Sequence, residues 1–487
     1  MNNAPFIHLF KTIYGYYFFD VNKSSVIKVN QKVYEYLQEL QKSNCELSET
    51  NKKDDSVIEQ INKLKQGGFL SDRRIKKIKH PDEEVIEYIL PYKLSQITLQ
   101  VTQQCNLRCN YCVYSHPDGD FQRNHSSKHM TFEVAKKAID YLIKSSRDSK
   151  SLYFSFYGGE PLLEFKLIKQ CIEYIKESVE GKVLQFNMTT NGTIINDEII
   201  SYFETNNVSL LISLDGPKEV HNKNRRFASN GKGSFDSVME NLEFVKTHYP
   251  NYYSKMISFN SVIDPEVNYC SICNFFSSCG TVKDKGVRGG IVSNRYTYEK
   301  YERTDDYVAN SNYEMFKVLL WKLDRVSYSS LSRIVIDEYY TTIDRTANSL
   351  KDVTGINEED MHTGPCIPGL TKLLVTTDGN FIPCERVSES ASVMNIGNVD
   401  TGINVQKVKQ LVDYCKLIED DCKKCWAIKS CMLCIQSGED GNSLSAVKKK
   451  AYCRGVRDLI EDYLKSYVVL KELEDRAKTV GASFSDK

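Results

Sequence analysis

The sequence has no run of about 18 apolar residues, so no stretch of it is long enough to cross a bilayer as a helix. Its first residues, MNNAPFIHLFKTIYGYYFFD, lack the basic start and apolar centre of a secretory signal. Neither charge is in excess, with 64 Lys plus Arg against 64 Asp plus Glu. That balance excludes a general electrostatic pull toward nucleic acid or an anionic membrane. No internal repeat or low-complexity tract is evident. These absences predict a soluble, cytoplasmic protein with no nucleic-acid and no membrane partner. At 487 residues the chain is too long for one core, and two or three domains are expected.

What is plentiful is cysteine, with 16 residues. The cytosol keeps thiols reduced, so metal ligation is the natural use of so many. Eleven of them fall in two groups, at 105–112 and 366–453, which read as sites.

Residues 1–72 carry two β-rich runs, YGYYFFDV and SSVIKV, followed by two helical patterns, QKVYEYLQELQ and SVIEQINKLKQ. They resemble a small winged-helix module. The highly charged 73–94 stretch suits a solvated linker or bridging helix. From Ser95 strands and helices alternate, with SQITLQVT, SLYFSFYG, VLQFNMTT, VSLLISLD and KMISFNSVI as strands. Strands spaced by single helices predict an α/β fold, a parallel sheet closed or nearly closed as a barrel over 95–310, with ligands at the strands' C-terminal ends. CNLRCNYC, GGEP, TTNG and SLDG follow the first four strands in that order. A bridge with one amphipathic helix, YEMFKVLLWKLDRV, is expected over 311–365. A cysteine-dense domain opening on the hairpin KLLVTTDGNFIPC is expected over 366–460, and a charged helix over 461–487.

Cys105, Cys109 and Cys112, spaced C-x3-C-x2-C, put three thiolates on one loop, which suits a [4Fe–4S] cubane with one iron left open. A structural zinc site would need a fourth ligand, and the nearest candidates, His116 and His125, stand at unusual offsets. CNLRCNYC followed by YGGEP resembles the radical S-adenosylmethionine (SAM) superfamily. That resemblance implies a partial (β/α)6 TIM barrel in which SAM chelates the open iron. It implies that Gly158, Gly159 and Glu160 meet the methionine moiety, with Glu160 accepting from its ammonium. Tyr111 would flank the adenine. Asn191, Ser213 and Asp215 would contact ribose or carboxylate, and Arg225 would stand near the cofactor.

The later array, Cys366-x12-Gly379-x4-Cys384 and Cys422-x2-Cys425-x5-Cys431-x2-Cys434 followed by Cys453, resembles the SPASM extension, which holds two auxiliary [4Fe–4S] clusters. The resemblance gives Cys422, Cys425, Cys431 and Cys453 to the distal cluster and Cys366, Cys384 and Cys434 to the proximal one. The spacing between Cys431 and Cys434 is one residue shorter than usual. The fourth proximal position is left to Cys415, to a substrate thiolate or to nothing. A zinc ribbon would account for only four of these cysteines. Cys45, Cys171, Cys270, Cys273 and Cys279 read as buried thiols.

Together the three parts resemble maturases of ribosomally made peptides. The resemblance implies a leader-bearing precursor peptide that adds as a strand to the N-terminal sheet, and a reductant such as flavodoxin or ferredoxin. It also implies thioether formation of the sactipeptide or ranthipeptide kind: a 5′-deoxyadenosyl radical takes a hydrogen from the peptide, a cysteine sulfur bonds to that carbon, and the surplus electron leaves through an auxiliary cluster. Carbon–carbon cross-linking is an alternative, as is epimerisation with a hydrogen donor from the Cys270–Cys279 group. Formylglycine formation, as in anaerobic sulfatase maturation, is another. A non-catalytic iron–sulfur carrier is the remaining reading. No residue stands out as a catalytic base.

Overall fold

Six runs rich in β-branched and aromatic residues, Gln96–Thr102, Ser151–Gly158, Val183–Thr190, Val208–Ser213, Ile257–Ile263 and Val287–Ile291, form strands, each pairing in parallel with the next. The computed structural model describes residues 4–43, 55–115, 122–296, 300–351 and 355–479. His116 and Cys45 lie outside the described residues.

Register gives the sheet two different faces. Ile97, Phe154, Phe186 and Val208 fall in line across four strands and join the apolar core with Ala138, Ile139, Ile168, Ile172, Phe203 and Leu242 of the helices that follow. On the other face Thr98, Ser155, Asn187 and Ser209 align. Helix starts are set by side-chain caps. Thr131 accepts from the Val134 amide ahead of Phe132–Lys144, and Asn196 accepts from the Ile199 amide ahead of Asp197–Thr205. The outer helices thus cover one face, and the polar face is left for the strand-end loops.

The barrel is partial. Its first strand does not pair with its sixth. Lys372–Val375 instead lies parallel to Gln96–Thr102 and continues through Asn380–Ile382, Gly397–Asn398 and Gly402–Ile403 as antiparallel strands, making ten in all. The expected hairpin is present, with Gly379 at φ +81° in its turn. Its addition to the barrel edge joins the second cysteine group to the same sheet as the first.

Ile7–Thr12, Gly15–Asp20 and Ser25–Val29 form an antiparallel sheet in that order. The first of these strands goes beyond the two runs evident in the sequence. Helices Gln31–Ser43 and Asp55–Gln66 cover one face through Val33, Leu37, Leu40, Val57 and Ile61. Phe10, Tyr17 and Phe19 on the opposite face pack in an apolar core with Ile418, Ile428 and Leu464. His8 stacks on Trp426 with centroids 3.6 Å apart and pairs with Glu461 at 2.9 Å. Among the described residues, no strand pairs with the outer edge of Ser25–Val29.

Three expectations are corrected. The 73–94 stretch is not a solvated linker: Lys77–Ile78 pairs with Glu359–Asp360, and Ile75, Ile78, Ile86 and Leu90 are buried. The bridge holds two helices, Asp305–Lys322 and Arg333–Ser349, and the first of them crosses the boundary expected at 310. The last helix runs Ala446–Thr479, so a boundary at 460 falls inside it and Cys453 lies on its first turns.

Candidate radical SAM site

The loop leaving the first strand places Cys109 buried, with Cys105 and Cys112 half-buried. It is held by backbone hydrogen bonds to the segment after the fourth strand: Arg108 N donates to Arg226 O (2.8 Å), Asn110 N to Asn224 O (3.2 Å) and Ala228 N to Asn106 O (2.9 Å). This lacing brings Arg225 to the cysteines. Burial pushes the Cys105 thiol up to about 11 and Cys109 up to about 12, each also raised by the neighbouring thiols. His125 lies 3.9 Å from Cys112 Sγ, with its Nδ1 3.3 Å from the Gln103 carbonyl. Burial lowers it to about 4, so its ring is neutral.

Gly158 and Gly159 let the second strand's end approach that loop. Gly159 N donates to Thr102 O (3.0 Å) and Glu160 N to Gln104 O (2.9 Å). A Cβ on Gly158 would meet Thr102 O at 2.1 Å, and one on Gly159 would meet Gln104 O at 2.1 Å. The glycines are demanded by backbone contact.

Glu160 is fully buried. Its Oε1 accepts from Thr190 Oγ1 (2.7 Å) and Leu162 N (3.1 Å), and its Oε2 from Asn191 N (2.7 Å). Burial pushes the carboxyl up against those donors. A carboxylate has about four acceptor positions, so three are filled and room for one further donor remains. Asn191 donates to Asn106 Oδ1 (2.8 Å), and its Nδ2 lies 4.0 Å from Cys105 Sγ. Ser213, buried at the end of the fourth strand, registers with Asn260.

Asp215 is filled completely. Its Oδ2 accepts from Tyr111 OH (2.5 Å) and Arg225 Nε (2.8 Å), and its Oδ1 from Arg225 Nη2 (3.1 Å) and Val262 N (3.0 Å). Tyr111, Asp215 and Arg225 therefore act as one unit that fixes the tyrosine ring, with the guanidinium 5.5 Å from its centroid. The carboxylate keeps no free position for a ribose. All the residues expected around SAM are thus brought to the ends of the first four barrel strands.

Sequence reasoning missed a buried seam beside them. Glu389, five residues after Cys384, accepts from Arg123 Nε (2.9 Å) and Gln100 Nε2 (2.6 Å), with Arg123 stacked 3.8 Å over Tyr114. Only the long-range fold pairs these residues, so no local signal marks them. Asn106, inside CNLRC, was legible by position.

In the second group, Cys422, Cys425, Cys431 and Cys453 line one cavity of about 200 Å³. Cys366 and Cys384 lie within electrostatic reach of each other, and Cys366 likewise of Cys434. Cys415 is buried in the core that holds Cys422, facing Lys449 and Lys416, whereas Cys384 packs on the barrel core. Among the described residues, no three His, Cys, Asp or Glu side chains are placed to hold a single metal ion. A ring of four thiols around a cavity suits a polynuclear cluster. Cys171 and Cys273 are buried, and Cys270 faces Asn310 and Glu314 on the outer helix Asp305–Lys322. A separate cavity of about 860 Å³ by Trp321 and Tyr340 is lined by none of these residues.

Residues 99–279 match the family model described as the radical SAM superfamily. The chain is 28% identical over 272 residues to the radical SAM cyclopropyl synthase TigE of Paramaledivibacter caminithermalis, covering 52% of this chain and 53% of that one. It is 23% identical over 373 residues to a cysteine-type anaerobic sulfatase-maturating enzyme of Clostridium perfringens, covering 76% and 95%. Among solved structures it resembles native anSMEcpe with bound AdoMet and Cp18Cys peptide, with a TM-score of 0.56, 19% identity and coverage of 79% and 99%. The chain spans about half the length of the cyclopropyl synthase. Cysteine loop, GGEP turn and parallel sheet agree with these matches: residues 99–279 form a domain of the radical SAM superfamily.

Proposed function

We propose that the chain matures a leader-bearing, cysteine-rich precursor peptide by forming intramolecular thioether links. Cys105, Cys109 and Cys112 would hold a [4Fe–4S] cluster. Gly158 and Gly159 would present backbone to the methionine moiety of SAM, and Glu160 would offer its remaining acceptor position to the ammonium. Asn191 and Ser213 would meet ribose or carboxylate. Asp215, saturated by Arg225, Tyr111 and Val262, would hold Tyr111 against the adenine. When bound, the cluster and SAM together supply a 5′-deoxyadenosyl radical. The residues' own task is to orient the cofactor and keep water from it.

The observation that carries the peptide-thiol reading is the uneven division of the later cysteines. Four line one cavity, whereas Cys366 lies within electrostatic reach of Cys384 and Cys434, and Cys415 faces Lys449 and Lys416 in the core that holds Cys422. Cys366 is exposed, so an auxiliary cluster held there would be open to a substrate thiolate, an excellent iron ligand. The outer edge of Ser25–Val29 is a surface on which a leader strand would pair. Flavodoxin or ferredoxin would be the reductant.

A second reading, formylglycine formation, is favoured by the alignment over 95% of the Clostridium perfringens enzyme. Mass spectrometry of the precursor after anaerobic reaction separates the two. Thioether formation removes two hydrogens per ring and blocks that thiol to alkylation. An aldehyde with loss of sulfur would support formylglycine, and unchanged mass with altered chirality would support epimerisation. Loss of two hydrogens with every thiol still open to alkylation would support carbon–carbon linkage.

A further inference from the structure

His362 lines the cavity of Cys422, Cys425, Cys431 and Cys453 and is 1% exposed. Its Nε2 lies 3.2 Å from Lys449 Nζ, and that ammonium also donates to the carbonyls of Tyr414 (2.9 Å) and Cys415 (3.2 Å). An ammonium has three donors and no acceptor, so these contacts use all three and make Nε2 the acceptor. With Nε2 accepting, the ring carries a single proton. That proton is assigned to Nδ1 by the lysine contact.

Among the described residues, Nδ1 completes no hydrogen bond. The Cys431 carbonyl stands close to the ring and already accepts from Thr363 Oγ1 at 3.1 Å. A buried N–H without a partner is costly, so its place beside four thiols calls for an acceptor there. Cluster sulfurs are such acceptors, and hydrogen bonds to them help set reduction potential.

We propose that His362, held as the Nδ1–H tautomer by Lys449, donates to a sulfur of the cluster bound by Cys422, Cys425, Cys431 and Cys453 and raises its reduction potential. This rests on the cluster assignment above. The donor favours the reduced cluster because that state carries one more negative charge. His362 is a positioning residue, and it eases the arrival of an electron leaving the substrate.

An EPR-monitored redox titration of the reconstituted full-length chain tests it, with the signal assigned by its disappearance in the Cys422→Ala/Cys425→Ala double variant. His362→Phe is expected to make reduction of that cluster about tenfold less favourable, a fall of about 59 mV for one electron. His362→Gln, which keeps an N–H donor, should restore most of it, and Lys449→Met should lower the potential as well. An unchanged potential in His362→Phe with iron content intact overturns the proposal. If that variant loses the cluster, His362→Leu decides: a fall supports the proposal and no change overturns it. Unchanged iron and EPR signal in the double cysteine variant would overturn the cluster assignment itself, and the role of His362 with it.

Discussion

Replacing Cys109 with alanine is expected to abolish SAM cleavage while leaving the chain folded and its auxiliary iron in place. Cys109 is a small buried side chain on a loop tied down by backbone hydrogen bonds on both sides, so alanine removes one sulfur and little packing. Cys422, Cys425, Cys431 and Cys453 line a separate cavity. Iron analysis should therefore show loss of one cluster's worth of iron, and chromatography should find no 5′-deoxyadenosine. Output equal to wild type from the reconstituted variant would turn the chain into an iron–sulfur protein whose CNLRCNYC loop has another use.

Gly159→Ala should be among the most damaging single changes at the site. Its new Cβ would stand 2.1 Å from Gln104 O, and carbonyl backbone cannot swing aside as a side-chain end does. Relief requires parting the second strand from the cysteine loop. That breaks the bonds from Gly159 to Thr102 and from Glu160 to Gln104, each worth about 1 kcal/mol. With overpacking of about 1–3 kcal/mol, the expected loss is roughly 3–5 kcal/mol. Denaturant melts and calorimetric titration with SAM should show the loss together with failure to bind. Gly280→Ala, with nothing within 4 Å of its new Cβ, is the matching control and should leave both nearly unchanged.

The barrel was legible because strand-like runs alternate with helical ones at regular spacing. SLYFSFYG coincides with Ser151–Gly158 and VLQFNMTT with Val183–Thr190. The motifs were legible because glycines and short polar residues interrupt those runs at their ends. What the sequence hid is non-local. Nothing in KLLV indicates that it pairs with Gln96–Thr102, some 270 residues earlier, because strand pairing leaves no local mark. Arg333–Ser349 has Ile334, Val335, Ile336 and Tyr339 buried, a β-branched run that masks a helix. The strand Ile7–Thr12 is half-buried and carries a lysine, which blurs its alternation.

At the site, Glu160 and Asp215 were evident as acids at strand ends. Their different states were not. Glu160 keeps room for one donor, and Asp215 is saturated by Arg225, Tyr111 and Val262. That difference follows from which loops meet, and it divides a residue fit to touch SAM from one fit to hold a neighbour. The seam of Gln100, Arg123 and Glu389 has the same origin. It couples the barrel mouth to the segment after Cys384, so the two cysteine groups are held in fixed relation.

The most direct test is isotope transfer from peptide to cofactor. A precursor peptide deuterated at carbon, incubated anaerobically with the reduced enzyme and SAM, should yield 5′-deoxyadenosine that carries deuterium, in amounts that follow peptide modification. Modified peptide accompanied by 5′-deoxyadenosine free of deuterium would contradict hydrogen abstraction from the peptide, and SAM left intact would contradict the radical chemistry altogether.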